Sequence, residues 1–272
     1  MRLDERRREN VTMKHFWVAF AVQARILKAL MLREMLSKFG REHFGVFWLM
    51  GEPIILTLSV MAMWSVWGHE QQAAVGILPF GLSAYTLITT WRHVVYHLVH
   101  AARENVSLMF HRNVRFLDTL ISRIFLEASG TALSFSTIYT VLYVMGFLDP
   151  IYDPYMLVGG FLLTTWFSTA VGLTFSALSL MYPIFGRFVQ PFMYVSLPFT
   201  GFIYMVSWLP DKLARLAVYS PLVNCFELFR DGLLGHQVEA EWYFVYVVKV
   251  NIIMTAIGLT LVRRAQLYIQ FE

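Results

Sequence analysis

Six windows of largely apolar residues punctuate the chain, at 46–67, 76–98, 124–147, 155–181, 188–208 and 242–262. Each reaches the ~20 residues that cross ~30 Å of hydrocarbon as an α-helix. The second is the least clean, because Arg92, His93 and His97 occupy its last turns, with His100 just beyond. Three further segments have helical character without the length or apolarity to cross. In 13–38, Trp17, Phe20, Ala24, Leu27 and Met31 recur in alternating steps of three and four, with Arg25 and Arg33 on the other side. That pattern predicts an amphipathic helix lying along a membrane surface. Segment 103–115 connects two spans through a short amphipathic centre at 106–110. In 209–237, Pro210 and Pro221 each start a short helix-like stretch, expected as a pair of re-entrant or interfacial half-helices. The predicted fold is an all-α membrane protein of six transmembrane helices in a single domain spanning 1–272. The apolar stretch at 16–22 is too short for a signal peptide and runs into Arg25 and Lys28, so no leader is expected.

Composition agrees: 57% of the 272 residues are hydrophobic and 15% charged, against nearly half and a quarter in soluble domains. This excludes a disordered chain, a coiled coil and a nucleic-acid-binding domain. Charge placement orients the chain. Eighteen Lys and Arg fall before the first span, from Arg92 to Arg123, at Arg187 and after the last span. The opposite loops hold only Lys212, Arg215 and Arg230. By the positive-inside rule both termini are cytoplasmic.

Little here suggests catalysis. Cys225 stands alone and reads as a small apolar filler. No GxSxG and no GxxxxGK[ST] occurs, so any ATP chemistry is expected from a partner. His93, His97, His100 and Glu104 share one helix face at spacings of four, three and four, which is geometrically sound for a metal. A polar face at the cytoplasmic end of the second span accounts for them more simply, and no bound metal is expected. Glu52, Glu127 and Lys249 are the ionisable residues inside the predicted spans that an ion-coupled transporter would use. Lys249 either faces a cavity or snorkels to the outer interface. The fifth window is uncharged and contains Pro191 and Pro198; on one continuous helix its Phe188, Phe192, Phe199 and Phe202 would share a stripe. Such a stripe offers stacking faces to sugars, or serves helix packing and an interface belt. Of the 22 basic residues 17 are Arg, whose forked donors suit carboxylate and phosphate. Topology and anionic lipid explain most of that excess; a site for a lipid headgroup or sugar acid is the alternative.

Three strings together resemble permeases of polysaccharide-exporting ABC transporters. In 30–53, Arg33, Glu34, Phe39, Gly40, Gly45, Trp48, Glu52 and Pro53 match the approach to the first span. In 112–123, a basic residue precedes Leu117–Asp118 and Arg123 follows. In 220–234, Pro221–Leu222 is followed by Glu227 and Arg230. The chain departs from the family pattern at Ser220, commonly Asn, and at Phe116, commonly Pro.

The resemblance implies a homodimer joined to two copies of an ABC ATPase subunit, which would carry the ATP and Mg; no cofactor would sit on this chain. It implies a multi-pass protein of the bacterial inner membrane that moves a lipid-linked anionic polysaccharide. A periplasmic co-polymerase and an outer-membrane channel would be further partners. Val106, Leu108, Met109 and Phe110 would couple to the ATPase, and 13–38 would frame a lateral entrance with Arg33, Lys38, Arg41 and Arg92 near the headgroup. Trp48, Glu52, Phe188, Phe192, Phe199 and Phe202 would line the channel, and 209–237 would form the outer gate. The alternatives are an O-antigen or teichoic acid permease, a small-lipid or drug permease, and a histidine-based membrane metalloenzyme.

Overall fold

A computed structural model describes residues 21–34, 76–104 and 116–269, with Ile55 and Ser59 as isolated helical positions. The continuous stretches form eight α-helices and no strand. They are α1 (21–34), α2 (Ile77–Glu104), α3 (Phe116–Val144), α4 (Pro154–Met181), α5 (Phe185–Val195), α6 (Asp211–Ala217), α7 (Pro221–Leu234) and α8 (Phe244–Ile269). Two of them, Pro154–Met181 and Phe244–Gln266, are long and apolar enough to cross a membrane by composition. Helices α2 and α3 have 28 and 29 residues, about 42 Å at 1.5 Å per residue. Their length suffices too, but ionisable residues where the last turns of α2 face the first turns of α3 dilute the hydropathy. The first expected span lies outside the described residues, apart from Ile55 and Ser59.

Helix α4 is the centre of the assembly, packed against α2, α7 and α8. Its start is sharply specified: Asp153 caps the backbone N–H groups of Tyr155 and Met156, and Pro154 occupies the first turn, where its missing N–H costs nothing. Along α4 the buried positions are small or hydroxylic, among them Gly160, Thr164, Ser168, Ala170, Gly172, Ser176 and Ala177. The Thr164 and Ser168 hydroxyls donate to the carbonyls one turn back, at 2.8 and 2.6 Å. Lipid tails solvate Leu as well as another helix does, so association here depends on close backbone approach. Glycines provide it on three sides. A Cβ at Gly160 would lie 2.7 Å from the Phe229 nitrogen of α7, and one at Gly172 would lie 3.0 Å from Leu98 of α2. One at Gly258 of α8 would lie 3.0 Å from the Ala170 carbonyl oxygen. Trp166 adds an indole hydrogen bond to Thr255 of α8 at 3.0 Å.

The expected continuous span at 188–208 does not form. Helix α5 has 11 residues, about 16 Å of rise, and stops at Val195. A single 3₁₀ turn follows at Leu197–Phe199, then Gly201 at φ +78°, then a second turn at Val206–Trp208. Pro191 inside α5 and Pro198 beyond it each remove a helical donor, and Gly201 adopts the left-handed conformation that side chains disfavour. Both short helices expected in 209–237 are present, as α6 and α7. Helix α7, at 14 residues, is also too short to cross. Most of it is buried, against α4 on one side and α2 on another.

Candidate functional site

The polar extensions of α2 and α3 meet α1 in a buried ionic cluster. Arg123 of α3 pairs with Glu34 of α1, lies 3.3 Å (Nε) from Glu127 Oε1, and donates from Nη2 to His97 Nδ1 at 3.0 Å. Side chains of Arg123, Glu34 and Glu127 are 7%, 7% and 1% exposed, so each charge depends on its partners rather than water. Since guanidinium only donates, His97 Nδ1 is the acceptor and the ring proton sits on Nε2, which faces Glu127 at 3.7 Å. His93 Nδ1 is also 3.7 Å from Glu127. A second contact, from the Gln23 amide to Asp118, ties the start of α1 to the start of α3.

This arrangement redistributes the expected histidine set. His93 and His97 converge as their spacing suggested, but their carboxylate is Glu127 of α3. His100 turns away, with Nδ1 2.9 Å from the Tyr96 carbonyl oxygen; the Glu104 side chain lies outside the described residues. Donor atoms of His93, His97 and Glu127 all lie within 4.8 Å of one another, close enough for a metal ion. The Arg123 guanidinium already holds Glu127 and His97, so the cluster contains its own cation.

Helix α1 carries the expected amphipathicity with a shifted face. Leu30 and Glu34 are buried, Leu27 and Met31 half-buried, and Ala24 exposed, while Arg25 and Arg33 are exposed as predicted. The shift follows the Glu34–Arg123 pair, which turns the polar Glu34 inward. Arg33 lies 3.2 Å from Glu34. Arg92, by contrast, crosses to α5, donating to the Tyr194 hydroxyl at 3.1 Å with its guanidinium 4.8 Å from the ring centroid. Lys38, Arg41, Trp48, Glu52, Val106, Leu108, Met109 and Phe110 lie outside the described residues.

The predicted aromatic stripe is divided by the break after α5. Phe188 and Phe192 remain together on α5, both exposed, and Phe192 meets Phe175 of α4 edge-on at 5.3 Å. Phe199 is exposed on the 3₁₀ turn, whereas Phe202, beyond Gly201, packs against the core. Four residues on one face require one helix, and the proline-glycine segment supplies two pieces. Lys249 of α8 is exposed, whereas Glu127 is absorbed by the cluster.

A second polar system, on α7, holds this broken segment in place. Asn224, Glu227 and Arg230 recur at intervals of three along one face. The Asn224 amide donates to the carbonyls of Val218 and Ser220 and accepts from the Tyr243 N–H at 2.7 Å. Glu227 accepts from the N–H groups of Val206 and Glu241 at 3.2 and 3.3 Å. Arg230 donates to the carbonyls of Tyr204 and Phe202 at 2.7 and 3.1 Å, and to the Ser83 hydroxyl of α2 at 3.4 Å. Its guanidinium also lies 4.1 Å from the Phe80 ring centroid. Non-helical backbone at 202–206, 218–220 and 241–243 is thus satisfied from one buried helix, as a low-dielectric setting demands. Glu227 and Arg230 were visible in a recognised string, but their bonding partners were not.

The sequence matches the ABC-2 type transporter family over residues 25–234. The capsule polysaccharide export inner-membrane protein CtrC of Neisseria meningitidis serogroup B is 30% identical over 252 residues, covering 92% of this chain and 94% of that protein. The capsule polysaccharide export inner-membrane protein BexB of Haemophilus influenzae is 29% identical over 249 residues, with 91% and 94% covered. The polysialic acid transport protein KpsM of Escherichia coli is 24% identical over 245 residues, with 90% and 95% covered.

Proposed function

Because this chain belongs to the ABC-2 type transporter family, we propose that it is the inner-membrane permease of an ATP-driven exporter of lipid-linked capsular polysaccharide. The observation that carries this reading is similarity along nearly the full length of capsule export inner-membrane proteins, in both directions of coverage. In this reading two copies of the chain assemble with two copies of an ATPase subunit, which binds ATP and Mg. Both termini face the cytoplasm, and the glycan passes without chemical change. A periplasmic co-polymerase and an outer-membrane channel receive it.

Helix α2 gives the mechanism a physical route. Its cytoplasmic end leads into 103–115, the proposed ATPase contact, with Val106, Leu108, Met109 and Phe110 as apolar knobs. Its outer end meets α7 through Ser83 and Phe80, both against Arg230. A helix of 28 residues transmits displacement over about 42 Å. Closure of the ATPase dimer therefore acts on α7 and the 202–206 segment, the proposed outer gate. Arg33, Lys38, Arg41 and Arg92 attract the anionic headgroup at the inner face, and the exposed Phe188, Phe192 and Phe199 offer weak, repeated contacts to a sliding chain.

The test is where lipid-linked polysaccharide collects in a deletion strain. Intracellular accumulation, cleared by the wild-type gene and not by Arg33→Glu, is the expected result. Normal surface polysaccharide in the deletion strain would reject glycan export and favour a drug or small-lipid permease.

A further inference from the structure

A cavity of about 690 Å³ opens between α6 and the start of α8, lined by Arg215, Tyr219, Glu241, Trp242, Tyr243 and Tyr246 among others. Loop charge places it on the outer side. None of the motifs and none of the channel residues discussed above accounts for it. Its volume falls in the ~300–1,000 Å³ range of small-ligand sites.

Hydrogen bonds within and behind the wall of this cavity fix part of it. The Trp242 indole N–H donates to Asp231 at 2.9 Å, and the Tyr246 hydroxyl donates to the Tyr219 carbonyl at 2.7 Å. Backbone N–H groups of Glu241 and Tyr243 are held by Glu227 and Asn224. The Trp242 and Tyr246 rings are therefore oriented before any ligand arrives, which removes part of the ordering cost of binding. Aromatic faces suit the C–H face of a pyranose, a carboxylate such as Glu241 accepts from sugar hydroxyls, and the Arg215 fork matches a carboxylate or phosphate. Val218, Phe244 and Val245 complete the wall with apolar surface, but an acyl chain alone would leave Arg215 and Glu241 unused.

We propose that this cavity is a saccharide subsite for a pyranose unit bearing a carboxylate or phosphate, contacted by the glycan as it leaves the permease. The assignment rests on the glycan-export reading above.

Binding is measured on the complex with its ATPase subunit in lipid nanodiscs, by calorimetry. The probes are a tetramer of α-2,8-linked sialic acid, mannose 6-phosphate and neutral maltotetraose. The first two probes distinguish carboxylate from phosphate recognition. Trp242→Ala is expected to weaken the preferred anionic probe about tenfold, with Trp242→Phe near wild type. Arg215→Gln should weaken the anionic probes while sparing maltotetraose. Unchanged thermal midpoints show that each variant is folded. Equal anionic binding in wild type, Trp242→Ala and Arg215→Gln overturns the proposal, as does absence of anionic binding to wild type. Efficient Tyr219→Cys cross-linking between two copies also overturns it, by giving the cavity to the dimer. Wild-type rescue of surface capsule in the deletion strain is scored separately. Rescue without a binding difference rejects the cavity alone, whereas a deletion strain with normal capsule rejects the exporter reading.

Discussion

Arg230 shows how one side chain stabilises an irregular backbone. It is fully buried, and its donors reach two carbonyls in a segment that has no helical partners of its own. Its charge is opposed by Glu227 at 4.0 Å and by the face of Phe80. Replacing it with Met removes the donors and leaves the buried Glu227 carboxylate with less compensation, at a cost of about 3–5 kcal/mol. Arg230→Met is accordingly expected to lower the thermal midpoint in detergent strongly. Arg230→Lys should recover part of the loss, since it retains charge without the planar fork. Equal midpoints for wild type and Arg230→Met would show that the 202–206 segment is held by other contacts.

Elements in this protein associate through places where side chains are absent. The α4–α7 crossing brings backbones together at Gly160 and at Gly232, where an added Cβ would lie 2.7 Å from the Phe229 nitrogen and 2.3 Å from the Leu157 nitrogen. Both obstacles are main-chain atoms, so no rotamer change relieves them. Gly160→Ala or Gly232→Ala should force the helices apart and cost about 1–3 kcal/mol or more. Gly159→Ala is the internal control, because its nearest neighbour would be a Leu228 methyl at 3.9 Å. Thermal unfolding of the three variants checks this: equal midpoints for Gly159→Ala and Gly160→Ala would remove the close-approach argument. Helix α5 shows the opposite case, an element shortened by Pro191 and Pro198 rather than tightened by glycine.

The whole molecule joins its two polar systems through α2. At one end, His93 and His97 face Glu127 while Arg123 links Glu127 to Glu34 of α1. At the other, Ser83 and Phe80 contact Arg230 of α7. In the proposed exporter, force applied near 103–115 would therefore meet α1 and α3 first and α7 last. Met109→Asp and Phe110→Asp are expected to reduce co-purification of the ATPase and abolish substrate-stimulated hydrolysis, while the permease itself still folds. Normal stimulation in both variants would place the coupling contact elsewhere.

The apolar windows that became α2, α3, α4 and α8 were readable from the sequence because length and apolarity belong to a segment without reference to its neighbours. The proline-started helices of 209–237 were readable for a similar reason, since Pro acts on its own first turn. Family membership was carried by local strings such as Pro221–Leu222 with Glu227 and Arg230. Other features depended on distant partners. Helix α3 begins at Phe116, ahead of the apolar window, because Arg123 is paired with Glu34 of α1 and with Glu127 one turn on, and His93 and His97 of α2 cover the same carboxylate, so these charges can be buried. An uncharged aromatic run at 188–208 satisfies any test of apolarity whatever its backbone does. Whether a helix resumes after Pro198 and Gly201 depends on what else can satisfy the carbonyls beyond them. For Phe202 and Tyr204 that partner is Arg230, 28 residues beyond Phe202, and only packing of α7 between α2 and α4 brings it there.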